Sequence, residues 1–184
     1  MGWSRAELES FAGRTIPDLM PDDLRLLFVG INPGLVSAAT GLHFARRGNR
    51  FYPALVRAGL VDTDDPALAA EQLRDRGVGI TNLVARASAR ADELDPSELV
   101  EGRARLVELV TEHRPRVVAV AGITSFRTAF GHRAARPGRQ PEDLAGAEVW
   151  VVPNPSGLNA HETVASLAEA YAEVARAAGV LSSL

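Results

Sequence analysis

Apolar positions fall into short unbroken runs that alternate with longer stretches at helical spacing. Leu24, Leu26, Leu27, Phe28 and Val29 make five of six consecutive residues apolar, the signature of a strand buried on both faces. Residues 117–121 and 148–153 read as further strands, and 77–84 as a weaker one. Between them the period changes to that of helices. Residues 49–58 place Phe51, Leu55 and Ala58 on one side, 66–74 start on Pro66, and 96–113 turn Leu99, Leu106, Leu109 and Val110 inward. A short helix is expected after Gly122, and a closing one through Val164, Leu167, Tyr171 and Val174. Residues 4–12 suit an opening helix capped by Ser4. Segments 37–48, 85–95 and 131–142 are polar or glycine-marked and read as loops. Strands alternating with helices predict an α/β fold: a mostly parallel sheet of four or five strands with helices on both faces, expected as one domain over residues 1–184.

Two strands end alike. The first runs into Gly30-Ile31-Asn32-Pro33-Gly34, the last into Asn154-Pro155-Ser156-Gly157-Leu158-Asn159. Proline keeps each asparagine out of a helix, and glycine permits tight turning and close approach. Ligands of open α/β sheets bind beyond the carboxyl ends of strands, so the turns suggest opposite lips of one site. Either alone is also ordinary turn chemistry.

Composition narrows the chemistry. The 184 residues include no cysteine and no lysine, all twenty strong cations being arginine. Thiol nucleophiles, cysteine metal sites and lysine Schiff bases are therefore excluded. The four histidines show no metal spacing, and no cofactor is called for. No apolar run is long enough for a membrane span, and the N-terminus lacks a hydrophobic signal core. A cytoplasmic location is expected. The net charge is −3, yet no acid occurs between Leu24 and Leu60 or between His113 and Pro141, stretches holding five and six arginines. Such segregation can place a basic face on an acidic body.

Several side chains could carry chemistry. The Asn32 amide can hold a water by its carbonyl oxygen, as hydrolysis of an N-glycosidic bond through an oxocarbenium-like state would need. It equally suits an Asx turn. Phe44, in a cationic loop, could stack on a base or plug the core. Arg46, Arg47 and Arg50 suit phosphates or a solvated surface. Leu158 could wedge between base pairs or staple the last helix, since Asn159 and Glu162 have capping-box spacing. Asp92 and Glu93 are possible auxiliary acids.

The two turns, with Phe44-Ala45, Asn49-Arg50-Phe51, Gly79-Ile80-Thr81 and Leu83-Val84 between them, resemble the mismatch-specific uracil-DNA and thymine-DNA glycosylases. The resemblance implies the α/β/α sandwich of uracil-DNA glycosylases. It implies that Asn32 positions the hydrolytic water, that Ile31, Phe44 and Ser37 line the base pocket, and that Asn154 faces it. Ser156 and Gly157 would meet the DNA backbone, with Leu158 as wedge and Asn159 beside it. The family's arginine after the wedge is replaced here by Asn159-Ala160-His161. Asparagine at both turns, where the main uracil-DNA glycosylases carry aspartate and histidine, implies slower chemistry and greater dependence on a weak pair. The expected partner is double-stranded DNA with a mismatched or damaged base, bound by a monomer. Without lysine, an intact abasic site is expected. A glycosylase for hypoxanthine or an etheno adduct, and a non-cleaving mismatch-binding module, are the alternatives.

Overall fold

The computed structural model describes residues 2–183. Five strands form one sheet: β1 (Leu26–Gly30), β2 (Val78–Asn82), β3 (Val117–Ala121), β4 (Gly138–Arg139) and β5 (Glu148–Val152), in the order β2-β1-β3-β5-β4. All neighbours are parallel except β4, which runs antiparallel to β5. Among the described residues, seven α-helices and a 3-10 turn at Ala91–Glu93 accompany them: α1 (Arg5–Glu9), α2 (Leu35–Thr40), α3 (Phe51–Ala58), α4 (Pro66–Asp75), α5 (Pro96–His113), α6 (Ile123–Phe130) and α7 (Val164–Ala177).

Strand alternation sorts the core into two layers. Leu26 and Phe28 of β1, with Val117 and Ala119 of β3, pack against Phe51, Leu55, Leu167 and Tyr171 of α3 and α7. The intervening Leu27, Val29, Val118 and Val120 pack on Leu106 and Val110 of α5 and Phe126 of α6. Burying each large apolar side chain is worth about 1.5–3 kcal/mol, so a one-residue slip of β1 would forfeit contacts on both faces. The α/β/α sandwich expected from the sequence is the fold observed.

Local differences have local causes. Ser4 caps α1 in a capping box with Glu7. The 37–48 segment, expected as loop, starts with α2, which Gly41 ends in the left-handed conformation at φ 75°. The 131–142 loop contributes β4, held by two residues of pairing to β5. The Asn159–Glu162 capping box does not form: Thr163 caps α7 through Ser166 instead, so Leu158 is no staple.

Candidate active site

The carboxyl ends of β1 and β5 lie on either side of β3, which sets the two Asn-Pro turns about 10 Å apart, two strand spacings. A cavity of about 160 Å³ occupies the gap, with Asn32, Ser37, Phe44, Asn82, Ser88 and Asn154 among its walls. The strand between, β3, runs straight into Gly122, whose φ of +103° suits only glycine. At Gly30 a methyl group would lie 2.6 Å from Asn82 Oδ1 and 3.3 Å from Phe44 Cζ. Glycine there lets both side chains close on the cavity.

Four carboxamides line this space. Asn49 accepts from the Phe51 N–H at 2.9 Å, and the partners of the other three, Asn32, Asn82 and Asn154, fix which end is which. Asn32 Nδ2 donates to the Arg86 carbonyl (3.0 Å) and to Ser88 Oγ (2.8 Å). Ser88 spends its one proton on the Arg90 carbonyl at 2.7 Å, so it must accept from Asn32. Asn32 Oδ1 is left with no donor among the described residues and is not buried. Asn154 is set the other way: its Oδ1 accepts from the Ser156 N–H at 3.0 Å, leaving Nδ2 free to donate.

Asn82 is fixed through His43. That ring's Nε2 faces the Pro17 carbonyl at 2.9 Å and must carry the proton. In the neutral ring Nδ1 then accepts from Asn82 Nδ2 at 3.4 Å, which turns Asn82 Oδ1 toward Gly30 and Phe44. Asn32, Asn82 and Asn154 thus offer two acceptors and one donor, with no ionised group among the three.

The Asn32 turn is held by its neighbour. Residues after β2 run beside it, with N–H groups of Leu83, Val84 and Ser88 donating to the carbonyls of Gly30, Ile31 and Pro33. Arg86, whose carbonyl holds Asn32, is clamped by Glu98 at 2.6 and 2.9 Å. The Arg86 guanidinium and then the Asp95 N–H hold the Glu98 carboxyl down at about 2, so the clamp stays ionised near neutrality. Phe44 sits at φ 53°, a strained conformation for a bulky residue, and stacks on Phe51 with ring centroids 4.1 Å apart. Ser37 is buried and accepts from the Ala45 N–H at 3.4 Å.

The opposite lip is tied down by Arg50. Its guanidinium donates to the carbonyls of Ser156 (2.5 Å), Asn159 (2.8 Å) and Glu162. Arg50, expected at a phosphate, here turns both terminal nitrogens to the protein's own backbone, while its Nε is buried with no partner among the described residues. Gly157 packs on the Gly48 carbonyl, 2.7 Å from where a Cβ would stand. Leu158, beside it, is 79% exposed. Two core phenols also reach the lips, Tyr52 donating to the His43 carbonyl and Tyr171 to that of Pro153. Burial pushes both hydroxyls up, keeping them protonated.

Of the residues picked from sequence, Ile31, Asn32, Ser37, Phe44, Arg46, Asn154 and Ser156 border this one cavity. Arg47, Gly157 and Leu158 are exposed outside it, and Asn159 instead lines an adjoining cavity. Asp92 and Glu93 do not line the cavity themselves but pair, at 3.0 and 3.9 Å, with Arg90, which does. Asn82, Ser88 and His43 were missed. Only Asn82 carries a signal in the sequence, an amide at the carboxyl end of a parallel strand.

His43 has a consequence for stability. Burial holds its pKa below the ordinary 6.5, outweighing the Pro17 hydrogen bond and the Asp18 charge. As pH falls below 6.5, the unfolded chain takes up a proton that the folded one refuses. Stability present above that value is then lost, by up to about 1.4 kcal/mol per pH unit, until the folded pKa is reached. Urea midpoints should fall from about pH 7 to about pH 5 more for wild type than for His43→Gln. Equal losses would show that His43 does not titrate as described.

A family model described as the uracil DNA glycosylase superfamily matches residues 17–175. Among solved structures, the chain resembles a solution NMR structure of a Methanosarcina acetivorans protein described as a candidate uracil DNA glycosylase. The TM-score is 0.63 at 17% identity, covering 91% of this chain and 98% of that one. At that identity the likeness is one of fold.

Proposed function

The chain belongs to the uracil DNA glycosylase superfamily and is a DNA glycosylase, and from that premise we propose that it removes uracil mispaired with guanine from double-stranded DNA, acting as a monomer. The observation that carries this reading is the free Oδ1 of Asn32, aimed by a fully committed Nδ2. An amide oxygen so placed accepts a hydrogen bond from one water and holds that water's oxygen toward C1′ of an extruded nucleotide. The C1′–N1 bond breaks with its electron pair passing to the base, the water oxygen bonds to C1′, and its surplus proton goes to solvent.

The other two amides suit the base. Asn154 Nδ2 can donate to a carbonyl oxygen as charge grows on the leaving ring. Asn82 Oδ1 can accept the imide N–H, a group that uracil and thymine have and cytosine lacks. Phe44 supplies a face for stacking. A neutral amide activates water less than a carboxylate would, so turnover leans on cheap extrusion, and a wobble pair opens more easily than a matched one.

The test is free-base release from duplexes that differ only in the lesion: G·U, A·U, G·T, hypoxanthine and an etheno adduct. Release should be fastest from G·U, with strand breakage only after alkali. Equal release from A·U and G·U would remove the mismatch requirement, a preferred etheno or hypoxanthine duplex would reassign the substrate, and a nick without alkali would contradict hydrolysis by water alone.

Leu158 gives a second check. As wedge, it fills the stack left by the extruded nucleotide. Leu158→Ala should lower release from a G·U duplex about tenfold to a hundredfold, by loss of a few kcal/mol of extrusion energy. Release from single-stranded uracil DNA should hardly change. Equal loss on both would mean that the residue acts inside the base pocket instead.

A further inference from the structure

The second acid-free arginine stretch is not explained by the base pocket. Between α6 and β5 the chain forms a hairpin whose carbonyls are individually secured. Arg127 donates through Nε and Nη2 to the Ala135 carbonyl, at 3.0 and 2.7 Å. The buried Gln140 donates through Nε2 to the carbonyls of Arg136 and Gly138, at 2.7 and 2.9 Å. Of the hairpin's own cations, Arg139 pairs with Glu148 at 3.4 Å, and His132 lies 3.9 Å from Glu142. Arg133 and Arg136 remain, both exposed and without a carboxylate partner among the described residues. A loop this firmly held presents two unpaired guanidinium groups at little ordering cost.

The hairpin's position says what they meet. Pro137 shares a cavity of about 380 Å³ with Asn154, Asn159 and His161, and that cavity adjoins the base pocket through Ile31 and Asn154. The wedge turn is therefore flanked on one side by the hairpin. On the other lies the 46–48 segment, with Arg46 and Arg47 exposed and the Gly48 carbonyl against Gly157. We infer that Arg133 and Arg136 contact phosphates of duplex DNA flanking the lesion, extending the DNA footprint beyond the wedge. The inference rests on the glycosylase reading for its partner, and on charge and continuity with the site for its place. Guanidinium groups suit phosphate oxygens, and such contacts position a duplex without reading its sequence.

The experiment compares Arg133→Gln/Arg136→Gln with wild type on two duplexes. On a lesion-free duplex, the slope of log affinity against log salt should flatten by about 2, each lost phosphate contact contributing about 0.9. On a G·U duplex at saturating enzyme, the single-turnover rate should stay within about twofold of wild type, since the chemistry is untouched. Arg133→Lys/Arg136→Lys should keep the wild-type slope, because lysine also neutralises a phosphate. Arg57→Gln/Arg74→Gln removes the same charge from α3 and α4, with α4 packed beside β2 at the far edge of the sheet. It should leave the slope alone. An unchanged slope in the hairpin variant, or an equal change in the remote pair, overturns the contact while base release by wild type upholds the glycosylase. No base release from wild type, with the slope still flattened, overturns the glycosylase reading and keeps the hairpin as a DNA contact.

Discussion

Asn32→Ala is expected to slow uracil release from a G·U duplex about a thousandfold, about 4 kcal/mol of transition-state stabilisation. Duplex affinity should stay near that of wild type. The size follows from what the side chain does. With Nδ2 committed to the Arg86 carbonyl and Ser88, Oδ1 cannot swing away from the cavity without losing two hydrogen bonds. Alanine removes the acceptor outright and leaves the reaction to untethered water. Ser88→Ala removes only one of the two ties, so it should lower kcat about tenfold with KM little changed, the mark of a positioning residue. Single-turnover assays under saturating enzyme separate the cases. Full activity in Asn32→Ala would end the water-positioning role, and an equal collapse of duplex binding would mean that the residue holds DNA.

Asn32 and Asn154 were legible in the sequence because the signals around them are local. An apolar run, an Asn-Pro pair and nearby glycines together specify a strand end and a turn. A parallel sheet also puts both turns at the same sheet edge, while the strand order that sets them on either side of β3 comes from the fold. What the sequence did not disclose are roles created by distant partners. Ser88 and Asn32 are 56 residues apart, and Asn82 takes its orientation from a histidine 39 residues before it. Nothing near His43 marks it as buried with a fixed tautomer. Helix α2 and strand β4 escaped for another reason. Each is too short for its period to register, and each is set by tertiary contacts or glycine stops rather than by propensity.

Arg50 shows the same limit from the other side, since its surroundings in sequence suggest a phosphate ligand and its surroundings in space make it a brace. Arg50→Met should lower the unfolding midpoint by about 6–12 °C, taking about 3 kcal/mol for hydrogen bonds from a charged donor to carbonyls left half-buried. The functional loss should be larger on duplex than on single-stranded uracil DNA. Without the guanidinium, the turn bearing Ser156 to Glu162 is no longer held as one unit, and Leu158 at its tip has no firm base from which to enter the stack. Arg50→Lys can restore the charge but, as a single ammonium, not a fork that spans three carbonyls. It should recover only part of both losses. Thermal melts and release assays on the two substrates decide the matter. A variant that melts like wild type, or one that loses salt-dependent DNA affinity while its duplex-to-single-strand ratio stays constant, would return Arg50 to the phosphate role its neighbours in sequence suggest.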